Sequence, residues 1–143
     1  MHRVLLLTSD GTVSDELVDA VAARAAAGGP VEVRVLLPLH PVPDAWAWDE
    51  DATQNATLAR LDEAIGRLRR TGAGVEGTVG CDRDSMVCVN WVMEREPFDE
   101  VIVATPRMGR ARILRMDLAA RIGRAFGLPV THVPGPRESP ATA

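Results

Sequence analysis

Two short segments carry residue types that could hold a charged ligand. Thr105-Pro-Arg-Met-Gly-Arg-Ala-Arg112 sets three arginines and a glycine directly after an apolar run. Asp10-Gly-Thr12 follows another apolar run near the start of the chain. A strand, a basic glycine-containing loop and a helix N-terminus, in that order, are where α/β proteins hold anions: backbone N–H groups and the helix dipole face the ligand. Arg107, Arg110 and Arg112 add guanidinium donors suited to carboxylate or phosphate oxygens. The competing reading is that these arginines are solvated helix charges.

The charge distribution supports a small anionic ligand over a nucleic acid. Residues 1–100 hold nine arginines against eighteen acids, whereas residues 101–143 hold seven arginines against two. An acidic body with one basic corner lacks the wide basic face that a phosphate backbone requires. All sixteen basic residues are arginines, and this looks like a coding bias as much as a functional choice. The chemistry of turnover is not visible. Phosphoryl transfer needs metal ligands and a positioned nucleophile, and neither paired carboxylates nor a nucleophile–base pair stands near either loop. His2, His40 and His132 are scattered. Cys81 and Cys88 have neither zinc-ligand nor redox-motif spacing and are expected to be reduced. The chain therefore reads as a binding protein without a metal or a catalytic residue, not as an enzyme. Val4-Leu-Leu-Leu7 is too short for a signal core or a membrane span, so a cytoplasmic location and no membrane partner are expected.

The elements that must position these loops alternate regularly. Residues 3–8 enclose the continuous apolar run Val4-Leu-Leu-Leu7, as in a parallel strand buried on both faces. Ser14 is an N-cap before a helix with Leu17, Val21 and Ala25 on one stripe, ended by Gly28-Gly-Pro30. A second strand spans 31–37. Residues 38–51 form a long loop in which Trp46 and Trp48 either cover a ligand or anchor the loop on the core. A helix over 53–71 places Leu58, Leu61, Ile65 and Leu68 inward, and a strand over 75–79 follows. Asp82 or Asp84 caps a third helix that runs to about 96 and is apolar nearly all round, which calls for deep burial or a partner. A strand over 99–105, a loop over 106–112, a helix over 113–126 with Leu114, Leu118, Ile122 and Phe126 inward, and a strand over 127–133 complete the domain. Residues 134–143 read as a disordered tail. The sum is a single α/β domain over 1–133, an open parallel sheet with helices on both faces. Its ligands belong beyond the carboxyl ends of the strands, at the loops after the first and fourth.

At these residues the chain resembles the universal stress protein family. Asp10-Gly-Thr-Val-Ser14 followed by Leu17 is similar to the family's opening loop, and Gly127-Leu-Pro-Val-Thr-His-Val133 to its last strand. The resemblance implies five parallel strands in order 3-2-1-4-5, of the adenine-nucleotide alpha-hydrolase-like type, and a homodimer formed through the last strand. It also implies ATP or another adenine nucleotide as ligand, held between the first and fourth strands. The residues implied are Asp10, Gly11, Thr12 and Leu37 on one side and Thr105 and Gly109 on the other, with Arg107, Arg110 and Arg112 as this chain's own anion contacts beside them. The phosphate loop departs from the family pattern. One glycine, Gly109, stands where the pattern has two, and Met116-Asp117 replaces its Gly-Ser pair. Asp117 would repel a phosphate unless Arg112 or Arg115 pairs with it, and such a pair would close the site. Two functions stay open: a universal-stress-like protein binding an adenine nucleotide or another small anion, and a nucleotide-free dimeric interaction module.

Overall fold

A computed structural model describes residues 1–8, 11–38, 50–80, 84–105 and 110–135, with side chains from 54 in the second helix and from 112 in the fourth. The elements are β1 (His2–Leu7), α1 (Asp15–Ala26), β2 (Val31–Leu37), α2 (Glu50–Arg69), β3 (Gly74–Val79), α3 (Ser85–Met93), β4 (Glu100–Thr105), α4 (Arg110–Phe126) and β5 (Val130–Pro134). All strand pairs are parallel, in the order β3-β2-β1-β4-β5. The fold class and the strand order are those expected.

Alternation along the strands builds two cores. Val4 and Leu6 of β1 join Val33, Val35 and Leu37 of β2 under α1 and α2. Leu5 and Leu7 join Leu36, Val101 and Val103 under α3 and α4. Both faces of β1 are thus apolar, which is why its sequence shows no polar alternation.

Local chemistry sets the helix ends. Ser14 caps α1 by accepting from the Leu17 N–H at 3.1 Å. Asp84 caps α3, accepting from Met86 and Val87 at 2.9 and 3.4 Å, whereas Asp82 lies outside the described residues. α3 stops at Met93, short of 96, since Pro97 disfavours helical backbone in the residue before it.

Several sequence expectations are corrected. α4 begins at Arg110, so Arg110 and Arg112 lie in a helical first turn and not in a loop; Arg and Ala are good helix formers. Its inward stripe is Arg115, Leu118, Ala119 and Ile122, while Leu114 is 69% exposed. In α2 the buried position is Thr57, and Leu58 is exposed. In both helices the apolar pattern was legible but its phase was off by one residue at the N-terminal turn. α3 buries one face through Cys88, Val89 and Val92; Val87 and Trp91 are exposed, and the Arg95 guanidinium lies 3.9 Å from the Trp91 ring centre. β5 begins at Val130 and runs on through Pro134, and the Gly135 N–H still bonds the Thr105 carbonyl at 2.8 Å. Trp46, Trp48, His40, Cys81 and residues 136–143 lie outside the described residues. No described helix is long and apolar enough to cross a membrane.

Candidate functional site

β1 is flanked by β2 and β4, with Leu7 level with Leu36 on one side and Val103 on the other. Chain direction across the sheet reverses here, because β1 leads to β2 and β4 leads to β5. In open α/β sheets such a reversal is where ligands bind, beyond the carboxyl ends of the strands.

The first loop is held from several directions. The Thr8 N–H bonds the Leu36 carbonyl at 3.2 Å, and the Thr8 hydroxyl accepts from the Gly11 N–H at 3.2 Å. Gly11 has φ +78°, and a Cβ there would sit 3.0 Å from Arg60 Cβ and 3.2 Å from the Arg60 carbonyl oxygen. Both the left-handed backbone and the close approach to α2 require glycine. Arg67 donates to the Val13 carbonyl. The Ser14 hydroxyl accepts from Leu17 and donates to the Pro134 carbonyl at 2.8 Å, so one side chain caps α1 and ties it to the end of β5.

The β4 side is built from different chemistry. Thr105 is 4% exposed, and its hydroxyl lies 3.4 Å from His132 Nδ1. Thr105, Arg112, Met116, His132 and Pro134 line a cavity of 250 Å³ between β4, β5 and the first turns of α4. The Thr105 hydroxyl donates to the Val103 carbonyl at 3.3 Å, which leaves the imidazole of His132 and the guanidinium of Arg112 as the donors suited to an anion here.

The structure separates the expected site residues. Thr105 and Arg112 share the β4–β5 cavity. Gly11 and Thr12 line a depression between the first loop and α2, with Arg60, Glu63 and Arg67. Thr12 also borders a second depression with Asp15, Glu16 and Asp19. Acidic side chains on that border oppose an anion, so the favourable electrostatics lie on the β4 side. Leu37 is fully buried in the core, and its carbonyl accepts from the Gly80 N–H at 2.8 Å. Asp10, Arg107 and Gly109, and the side chain of Arg110, lie outside the described residues. Asp117 is exposed and joins none of the ion pairs among the described residues, so the closing pair with Arg112 or Arg115 is not formed.

His132 is the residue that sequence reading leaves aside as one of three scattered histidines. Strand alternation was the available signal: Val101, Val103 and Thr105 share a face, and so do Val130 and His132, both beneath α4. Among the described residues no cluster of three His, Cys, Asp or Glu could hold a metal ion.

Comparison with solved structures identifies this architecture. A universal stress protein from Archaeoglobus fulgidus superposes with a TM-score of 0.62 at 14% identity, over 93% of each chain. The fold is that of the universal stress proteins. A universal stress family protein from Burkholderia pseudomallei gives 0.59 at 17% identity, over 93% of this chain and 96% of that one. A universal stress protein in complex with cAMP gives 0.52 at 20% identity, over 92% and 96%. No protein-family model and no curated protein matches the chain.

Proposed function

We propose that this protein is a universal-stress-like small-ligand-binding protein that takes an adenine nucleotide or another small anion above the carboxyl ends of β1 and β4. The observation that carries the reading is the cavity where Thr105, His132 and Arg112 converge, between β4 and β5, one strand from the reversal at β1 and β4. A solved protein of this fold is in complex with cAMP, which supports an adenine nucleotide as the first ligand to test. Asp10, Gly11 and Thr12 would face the base and sugar, while Leu37, fully buried in the core, would support the end of β2. Thr105, Arg107, Gly109, Arg110, Arg112 and His132 would face the phosphate. With one glycine in the loop, side-chain donors take the part that backbone N–H groups have in glycine-rich phosphate loops.

Thermal unfolding with ATP, ADP, AMP and cAMP, with and without magnesium, tests this. A ligand at roughly 100 times its Kd stabilises the native state by about 2.7 kcal/mol. Arg112→Ala should weaken the shift and leave the ligand-free melting temperature unchanged. No shift with any nucleotide overturns the nucleotide assignment.

A second reading, a nucleotide-free dimeric module, has its own observation. β5 is an edge strand, and beside it the first turns of α4 expose Ile113, Leu114 and Met116 at 69%, 69% and 42%. Met116 reaches the β5 side, where it shares a cavity with His132 and Pro134. An open strand edge next to apolar side chains suits a second copy. Light scattering on the ligand-free protein decides: a dimer that Ile113→Asp dissociates supports this reading, and a monomer at micromolar concentration overturns it.

A further inference from the structure

The cavity of Thr105, Arg112 and His132 lies against β5, the open edge of the sheet. Backbone hydrogen bonding along that edge alternates. The Val101 N–H bonds the Pro129 carbonyl at 2.9 Å, and the Gly135 N–H bonds the Thr105 carbonyl at 2.8 Å. Between these ends the parallel register runs from Val101 with Val130 to Thr105 with Pro134. Thr131 and Val133 therefore turn their N–H and C=O groups towards β4, while Val130, His132 and Pro134 turn theirs outward. Pro134 has no N–H, and its carbonyl accepts from the Ser14 hydroxyl at 2.8 Å. The open edge thus offers its donors and its remaining acceptors at Val130 and His132.

That set complements itself. Two copies of β5 laid antiparallel about Thr131 place Val130 of one opposite His132 of the other, and every outward N–H of these residues meets a carbonyl. A two-fold through His132 would instead set Val130 against Pro134, which has no N–H to give and whose carbonyl Ser14 already uses. Val130 and His132 both lie on the α4 face. Opposed residues of such a pair share a face, with Cα atoms about 5.5 Å apart. Val130 of the second copy thereby covers the exposed His132 and adds a wall to the cavity. Alone, the cavity measures 250 Å³, below the range of about 300–1,000 Å³ for small-molecule sites.

Charge governs when the pair forms. Residues 101–143 hold seven arginines against two acids, and pairing brings two such regions together. Like charges oppose that approach unless an anion offsets them. Once covered, the anion is shielded from water, and its attraction to Arg112 strengthens. We propose that the cavity is a site shared by two copies: a phosphate group held by Arg112 and His132 promotes the pairing of β5 with β5, and the pairing closes the site. The proposal rests on the reading of this cavity as the anion site.

Sedimentation velocity of the full chain, in millimolar inorganic phosphate and in chloride of equal ionic strength, tests the coupling. Phosphate should lower the dimer dissociation constant by about tenfold or more. Val130→Pro removes an outward N–H and leaves the bonds to β4 in place, and Val130 does not line the cavity of its own chain. The variant should stay monomeric and, because two sites share the coupling, bind phosphate about threefold or more weakly by calorimetric titration. Phosphate that shifts the His132 imidazole resonances saturably but leaves the dissociation constant unchanged overturns the coupling and keeps the cavity reading. Phosphate that moves no His132 resonance overturns both. Unchanged phosphate affinity in a monomeric Val130→Pro overturns the coupling, and if that variant does not fold, the comparison of phosphate with chloride decides.

Discussion

The two ends of the sheet solve different problems with different chemistry. At the amino ends, charged side chains lock strands to one another. Glu96 takes Arg3 and Arg34. Glu100 takes Arg24 at 2.7 Å and His2 at 2.5 Å, and Asp99 accepts from the Arg3 backbone N–H at 2.8 Å. At the carboxyl ends, neutral contacts predominate: Thr8 with Gly11, Ser14 with Pro134, and Thr105 with His132. Among the described residues, the ion pair beside the first loop, Arg67 with Asp15, is 3.5 Å long and exposed. The lesson is a division of labour. Among the described residues, stability that depends on charge sits at the amino ends, and the carboxyl ends are joined chiefly by neutral hydrogen bonds.

Breaking the charged end should have the largest effect. Glu96→Ala leaves two guanidinium groups without their shared acceptor. The expected cost is about 2–3 kcal/mol, below the fully buried range because Glu96 keeps 24% of its side chain exposed. Denaturant unfolding measures it, and a loss under 1 kcal/mol, on the order of an exposed pair, would erase the contrast between the ends. The same end sets the acid response. Burial alone would raise the carboxyls of Glu96 and Glu100, but hydrogen bonds and charge from Arg34 and Arg3, and from Arg24 and His2, outweigh it and hold both below the ordinary 4.5. A lowered folded-state value means stability that is present above the unfolded-state value and lost as pH falls through the folded one. Melting temperature should therefore drop below about pH 4.5, and a Glu96→Gln, Glu100→Gln variant should lose less on acidification than the parent.

At the carboxyl ends, Gly11→Ala is the next test. It combines a left-handed φ with contact against Arg60, so a destabilisation of about 1–2 kcal/mol is expected by denaturant unfolding. Ser14→Ala removes the α1 cap and the tie to Pro134 and should cost roughly 1 kcal/mol. If Ser14→Ala proved more damaging than Glu96→Ala, the first loop and not the charged end would be the principal lock.

How much was legible beforehand follows from the same physics. The number of elements and a parallel sheet could be read because β1 is apolar on both faces and because glycines, prolines and caps such as Ser14 punctuate the helices, whereas the strand order came from the family resemblance. The phase of the α2 and α4 stripes could not, because Thr57 and Arg115 occupy buried positions that apolar patterning assigns to Leu58 and Leu114. The site was only half legible. Thr105 and Arg112 share a cavity, but Gly11 and Thr12 lean towards α2, a placement set by tertiary contact with Arg60 that no local pattern encodes.

The smallest stability change should accompany the largest functional one. His132 is exposed on the edge strand, and its interaction with Thr105 is 3.4 Å long, at the weak end of hydrogen bonding. His132→Ala should therefore alter stability by no more than about 0.5 kcal/mol. If the β4–β5 cavity holds the anion, the same change should lower affinity for it at least several-fold, and Thr105→Val should do likewise while keeping the shape of the buried side chain. Calorimetric titration of both variants with the best nucleotide from the thermal screen checks this. Unchanged affinity in both would move the anion away from β5, towards the loop that begins at residue 106. Lost affinity with unchanged stability would sharpen the contrast between an end built to hold and an end built to bind.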